Sequence, residues 1–236
     1  MSPAASIGVD RAPPGPSQLA AFLRGTHVGG LGLADRLKIS YRPYICPFGE
    51  LLALIHPQDH VFDIGCGSGQ FCLLAARFRR PARVSGIEIS PRLIGNADAL
   101  FTHAGVTTPH AFSVYDGTVF PASLGEADTV FLIDVLHHVS PSAQNVFIRT
   151  LYEAMRPGAR LIVKEIDAAS RLVVFNRLHD LVFSGETGRE LSAAAFAGIA
   201  RDAGFDVQTM HHQTMWLYPH YLCVLTKPSA TPSVHP

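Results

Sequence analysis

The chain predicts an α/β fold, a doubly wound seven-stranded sheet, mostly parallel, with a C-terminal antiparallel hairpin and an N-terminal helical lid. Three observations predict it. Short apolar runs alternate with helix-length stretches through most of the chain, and alternating β and α units build parallel sheets through right-handed crossovers. The early strands are apolar on both faces, as in Val130-Phe131-Leu132-Ile133 and Leu161-Ile162-Val163, which suits a sheet covered on both sides by helices. The run Val61–Ile64 passes directly into Gly65, Gly67 and Gly69, and a helix-like stretch follows from Phe71 to Phe78.

The elements follow in order. Residues 1–16 hold Pro3, Pro13, Pro14 and Pro16 without periodic apolar positions, so a disordered tail is expected. Residues 17–57 carry Gly25, Gly29, Gly30 and Gly32 and then Tyr41-Arg42-Pro43-Tyr44. They read as the lid over a ligand cleft. The core is expected over 58–227, with strands at 60–64, 83–89, 110–114, 127–133, 159–166, 205–212 and 218–226. Helices are expected at 46–55, 70–79, 91–103, 141–155, 170–183 and 192–203. No helix-length segment separates His212 from Leu217, so the last two strands should pair antiparallel. Residues 228–236, with Pro228, Pro232 and Pro236, read as a second disordered tail.

A length of 236 residues suits one α/β domain with additions. Hydrophobic residues make up 47% and charged residues 16%, with a formal net charge of +0. That balance gives no electrostatic footprint for nucleic acid or an anionic membrane. Cys46, Cys66, Cys72 and Cys223 form no CxxC pattern, which argues against a zinc site or a disulfide framework and for reduced thiols. The longest apolar run, Thr129 to Leu136, is interrupted by Asp134 and is too short to span a bilayer. No signal peptide is read at the start. A cytoplasmic protein with a small-molecule substrate is expected, and a homodimer is compatible with the chain.

A glycine-rich turn between strand and helix lets a ligand approach bare backbone and aims helix-start amides at it. Glu88 ends the second strand, roughly twenty residues beyond the glycine loop, where a carboxylate can accept both ribose hydroxyl protons. The pattern Asp63-x-Gly65-x-Gly67-x-Gly69 after an apolar strand resembles the first motif of class I S-adenosylmethionine-dependent methyltransferases, small-molecule branch. The resemblance implies a Rossmann-like core and S-adenosyl-L-methionine as cofactor. It implies that the backbone of Gly65, Cys66, Gly67 and Gly69 packs against the methionyl part, with Asp63 orienting the loop or contacting the ammonium indirectly. It places Glu88 and Ile89 at the ribose, Tyr115-Asp116-Gly117 at the adenine amino group, and Asp134 beside cofactor or substrate. A dehydrogenase would show GxGxxG, but position 70 is Gln.

Methyl transfer from a sulfonium is an in-line displacement that needs alignment and dryness more than covalent help. A general base is required only when the acceptor holds its proton tightly. His137 and His138 are the base candidates, because His titrates near neutral pH. In a strand one would point inward and the other outward. A structural role for both is the competing reading. Lys164, Glu165 and Asp167 crowd the end of the fifth strand, either meeting a substrate or pairing among themselves. His179, beside Asp180 in the insert after strand five, is an alternative acid–base candidate. No metal site is expected. The acceptor reads as a small, largely apolar metabolite such as a lipid, quinone or secondary-metabolite intermediate. The rival functions are a non-catalytic cofactor-binding regulator or scaffold, an aminopropyl transferase and an NAD-dependent oxidoreductase.

Overall fold

The computed structural model describes residues 13–26, 33–170, 172–174 and 189–229, with backbone alone for 33–38. Three helices come first: α1 (Pro16–Gly25), α2 (Leu33–Ile45) and α3 (Phe48–Ala53). Then follow β1 (His60–Ile64), α4 (Gln70–Phe78), β2 (Arg83–Glu88), α5 (Pro91–His103), β3 (His110–Val114) and β4 (Thr129–Ile133). The chain continues with α6 (Pro141–Ala154), β5 (Arg160–Ile166), α7 (Ala193–Ala203), β6 (Asp206–Met215) and β7 (Tyr218–Thr226). Short 3-10 turns lie at Ala122–Glu126 and Leu136–His138.

The seven strands form one sheet in the order β3-β2-β1-β4-β5-β7-β6. β1 to β5 pair in parallel, and β7 runs antiparallel to both β5 and β6. The order reverses at β1, between β2 and β4. In such sheets the crevice beyond the carboxyl ends at that switch point holds the ligand. One buried cluster packs α1, α3, α4 and α5 against one face, through residues such as Leu23, Leu51, Leu73 and Phe101. The other packs α6 and α7 on the opposite face, through Ile148, Leu151, Phe196 and Tyr221.

Local chemistry sets the element ends. Pro16, Pro91 and Pro141 open α1, α5 and α6, where the missing amide costs nothing. The Ser192 hydroxyl accepts from Ala195 N at 3.2 Å to cap α7. Gly204 stops α7 at φ +107, and a Cβ there would come within 2.9 Å of the Tyr152 ring.

The helix expected over 46–55 is shorter, and a separate helix, α2, precedes it. Pro47 stands at the N-cap of α3, which keeps the two helices apart. β6 runs on to Met215 rather than stopping at 212, because the turn to β7 uses only Trp216 and Leu217. The helix expected over 170–183 lies mostly outside the described residues. The ends of α2 and α3 are tied to α4 and the sheet by side chains that donate to carbonyls. Arg79 reaches Ile55 O at 3.0 and 3.2 Å, Arg160 reaches Leu54 O at 2.9 Å, and His220 Nε2 reaches Ile45 O at 2.7 Å. No described helix is long and apolar enough to cross a membrane.

Candidate functional site

All three loop glycines have positive φ: +73 at Gly65, +53 at Gly67 and +74 at Gly69. They differ in what surrounds them. A Cβ on Gly65 would meet Val135 Cγ2 at 2.4 Å, and one on Gly69 would meet Ala97 Cβ at 2.9 Å. Those two glycines let the loop pack against the turn after β4 and against α5. Above Gly67 nothing lies within 4 Å, so this is the glycine whose bare backbone faces open space. The amides of Gly65 and Cys66 donate to Ile87 O at 2.8 and 3.0 Å, which holds the loop to β2. The Cys66 side chain packs over Gly86 and beside Phe112, which leaves its backbone for the cleft. Burial raises its thiol pKa above the ordinary range.

Glu88 straps the loop from the end of β2. Its Oε2 accepts from Gly67 N at 3.1 Å and its Oε1 from Ser90 N at 3.2 Å. The carboxylate is half-buried and lies against the open glycine. Beside it Ile89 is 69% exposed, an apolar surface that a flat base would cover. Asp63 is buried at the end of β1, with Cys72 Sγ donating to it at 3.5 Å. Burial pushes its pKa up to about 7, against the Cys72 hydrogen bond and the opposing charge of Arg42. Tyr115 N donates to Glu88 O at 2.9 Å, and the Tyr115 ring stacks on Phe120 with centroids 5.1 Å apart. Asp116 is exposed and closes a turn. Its Oδ1 accepts from Thr118 N at 2.8 Å and Val119 N at 3.1 Å, and Gly117 follows at φ +85. These amides lower the Asp116 pKa.

The ends of β4 and β5 bring a second group together. Asp134 has a positive φ of +55, and its carboxylate sits between Lys164 Nζ at 2.5 Å and Arg42 Nη2 at 3.4 Å. Burial alone would raise its pKa, but Lys164 and then Arg42 outweigh burial and hold it below the ordinary carboxylate range. Glu165, the next residue on β5, points to the other face. Its Oε1 accepts from Val135 N at 2.7 Å and Leu136 N at 2.6 Å, and its Oε2 lies 2.7 Å from His137 Nδ1. His137 and Glu165 are only 4% and 3% exposed, whereas His138 reaches solvent. One histidine is indeed inward and one outward, but on a 3-10 turn rather than a strand, and the inward one is held by Glu165.

Lys164, Glu165 and Asp167 do not form an exposed cluster among themselves: all three are buried, and they pair with Asp134, His137 and His212 respectively, Asp167 Oδ2 lying 3.2 Å from His212 Nδ1. His179, Asp180 and Arg177 lie outside the described residues. Sequence reasoning missed Arg42 as a partner of Asp134, because the two are far apart in the chain and only the fold joins them. It also missed His220, buried between Ile45 and Lys164, whose pKa burial and then Lys164 push down to about 3. Among the described residues there is no group of three side chains fit to hold a metal ion.

A glycine loop at the switch point of a doubly wound sheet, with an acid strapped across it from the next strand, defines a nucleotide-type cofactor-binding protein. The comparisons with known proteins narrow the class. A methyltransferase-domain family model matches residues 40–210. The chain belongs to this family, and its cofactor class is S-adenosyl-L-methionine. Carboxy-S-adenosyl-L-methionine synthase of Dichelobacter nodosus is 25% identical over 112 residues, which cover 47% of this chain and 46% of that protein. Ajmaline N-methyltransferase of Rauvolfia serpentina is 30% identical over 104 residues, covering 44% and 35%. The matched stretches span about half or less of those two relatives' own lengths. Magnesium protoporphyrin IX methyltransferase of Synechocystis, solved with S-adenosylhomocysteine bound, superposes with a TM-score of 0.66 at 20% identity, over 88% of this chain and 94% of that one. At that identity it shows the shared fold.

Proposed function

We propose that the chain transfers a methyl group from S-adenosylmethionine to a small acceptor by in-line displacement. The observation that carries the reading is the Glu88 carboxylate set against the open Gly67, where backbone and acid together can take a ribosyl group. Bound there, the cofactor would supply a methyl carbon already activated by its sulfonium. The residues of the chain then bind, orient and exclude water. Glu88 would hold the ribose hydroxyls, with Ile89 and the Tyr115–Gly117 turn as the surfaces that would receive the base. Asp63 faces the ammonium side of the loop, while Arg42 is the cation suited to the carboxylate.

Within the 17–57 stretch a lid role is supported at α2, whose Arg42 reaches Asp134, whereas α1 and α3 pack into the core on one sheet face. His138, the solvent-facing histidine, is the candidate base for an acceptor that holds its proton. His137 is a positioning residue, fixed through Glu165. His179 stays a candidate on the insert after β5. An apolar acceptor is supported by Trp216 and Leu217, 79% and 46% exposed at the β6–β7 tip, at the carboxyl end of the parallel strands. A relative whose name makes it a synthase of a carboxylated S-adenosylmethionine favours a second reading, in which the cofactor itself is the substrate.

The test is calorimetric titration with S-adenosylhomocysteine, with NAD in a parallel cell. The reading expects the first to bind alone, and Glu88→Ala to weaken it by about 1–3 kcal/mol through lost charged hydrogen bonds. Binding of NAD alone overturns the cofactor. Labelled methyl groups appearing on added acceptors then separate methyl transfer from chemistry on the cofactor.

A further inference from the structure

A second cavity, of about 520 Å³, lies away from the glycine loop. It is an open cleft lined by α1, by the last turn of α4 and by the connection from α5 to β3. α4 starts at the cofactor loop and ends at this cavity, about 13 Å further on. Phe22, Ala104 and Val106 give it an apolar side backed by the buried Leu73 and Ala76, Thr107 and Thr108 give it a polar one, and Arg77 and Arg80 stand at its edge. Its size falls in the range of small-molecule clefts.

Its lining holds two cations, Arg77 and Arg80, and no Asp or Glu. Arg83 is neutralised by Glu126 at 3.3 Å, and Arg79 is committed to Ile55 O. Arg77 and Arg80 have no acidic partner among the described residues. The Arg77 guanidinium lies 5.8 Å from the centre of the Phe22 ring, which fixes it at the wall without cancelling its charge. Arg80 takes a left-handed conformation at φ +50, and its amide still bonds Ala75 O at 3.1 Å. That turn leaves its side chain exposed at the rim.

We propose that this cavity is a second ligand site, separate from the cofactor cleft, for a small amphiphilic anion. The ligand has an apolar body against Phe22, Ala104 and Val106 and a single carboxylate or phosphate head held by Arg77 and Arg80. The inference does not rest on methyl transfer, since it uses none of the loop residues.

The experiment titrates the full chain, with and without S-adenosylhomocysteine, using octanoate, octyl phosphate and inorganic phosphate as probes. One alkyl anion should bind saturably at a single site, equally well with the cofactor product present, and more tightly than inorganic phosphate. Preference for octanoate or octyl phosphate identifies the head group. The double variant Arg77→Ala/Arg80→Ala should weaken that binding about tenfold or more, while Arg149→Ala on α6 leaves it unchanged. The variant should keep the parent's melting temperature and affinity for S-adenosylhomocysteine. No binding of either alkyl anion overturns the proposal, as does binding that the double variant retains. Displacement by S-adenosylhomocysteine would place the anions in the cofactor cleft and overturn it too. Inorganic phosphate binding as tightly as the alkyl anions would remove the apolar part of the site and with it the ligand class.

Discussion

At the residue scale, Asp63 is the group whose chemistry is most altered by its surroundings. An acid held near pKa 7 instead of 3.8 keeps a proton in the folded chain that the unfolded chain gives up. The folded state therefore binds more protons between those values, and this residue's contribution to stability falls as pH rises through that window. A cofactor ammonium nearby would favour the ionised form. Binding of S-adenosylhomocysteine at pH 6 is therefore expected to release protons, and affinity should rise from pH 5 to 7. Calorimetry in two buffers of different ionisation heat reads this directly, and zero proton exchange would place the ammonium elsewhere. Glu88 was legible in the sequence because it stands alone among apolar neighbours at a strand end. Arg42 and His220 were not, since each gains its role from a partner far away in the chain, Asp134 and Ile45.

At the scale of elements, the 3-10 turn after β4 depends on one side chain. Glu165 takes two backbone amides and sits against His137, all within the interior. Glu165→Ala would strand those donors without a partner, at about 1–3 kcal/mol for each buried group. A loss of at least about 3 kcal/mol in chemical denaturation is expected, and Glu165→Gln should recover part of it. A loss below 1 kcal/mol would mean the turn holds itself. The strands were readable from apolar runs, but this turn was not. Leu136-His137-His138 continues the run of β4, and nothing local says that Glu165 will bend the chain there. β6 illustrates the other limit, for its polar, half-exposed sequence sits on the sheet edge, where burial gives little pattern to read.

At the scale of the whole molecule, the cleft joins β1, β2, β4 and the first helices, so a ligand there should stabilise the chain as a unit. S-adenosylhomocysteine at a hundred times its dissociation constant adds about 2.7 kcal/mol. For a chain of this size that corresponds to roughly 5–10 °C in melting temperature. A shift under 1 °C at saturation would contradict a preformed cleft. The mostly parallel sheet, its C-terminal antiparallel pair and both covered faces were foreseeable from the alternation of elements, whereas the cavity at the end of α4 was not, because its lining comes from three separate segments. β5 has a consequence of another kind. Its neighbours Lys164 and Glu165 deliver a cation to Asp134 on one face and an anion to the amides of Val135 and Leu136 on the other. Deleting a single residue between Arg160 and Lys164 would bring Glu165 into the place of Lys164, setting a carboxylate against Asp134, and inserting one would bring Lys164 into the place of Glu165, setting an ammonium against backbone donors. The strand should tolerate many apolar substitutions yet reject a change of length, and its arithmetic thereby guards the alignment of everything at the sheet's carboxyl end.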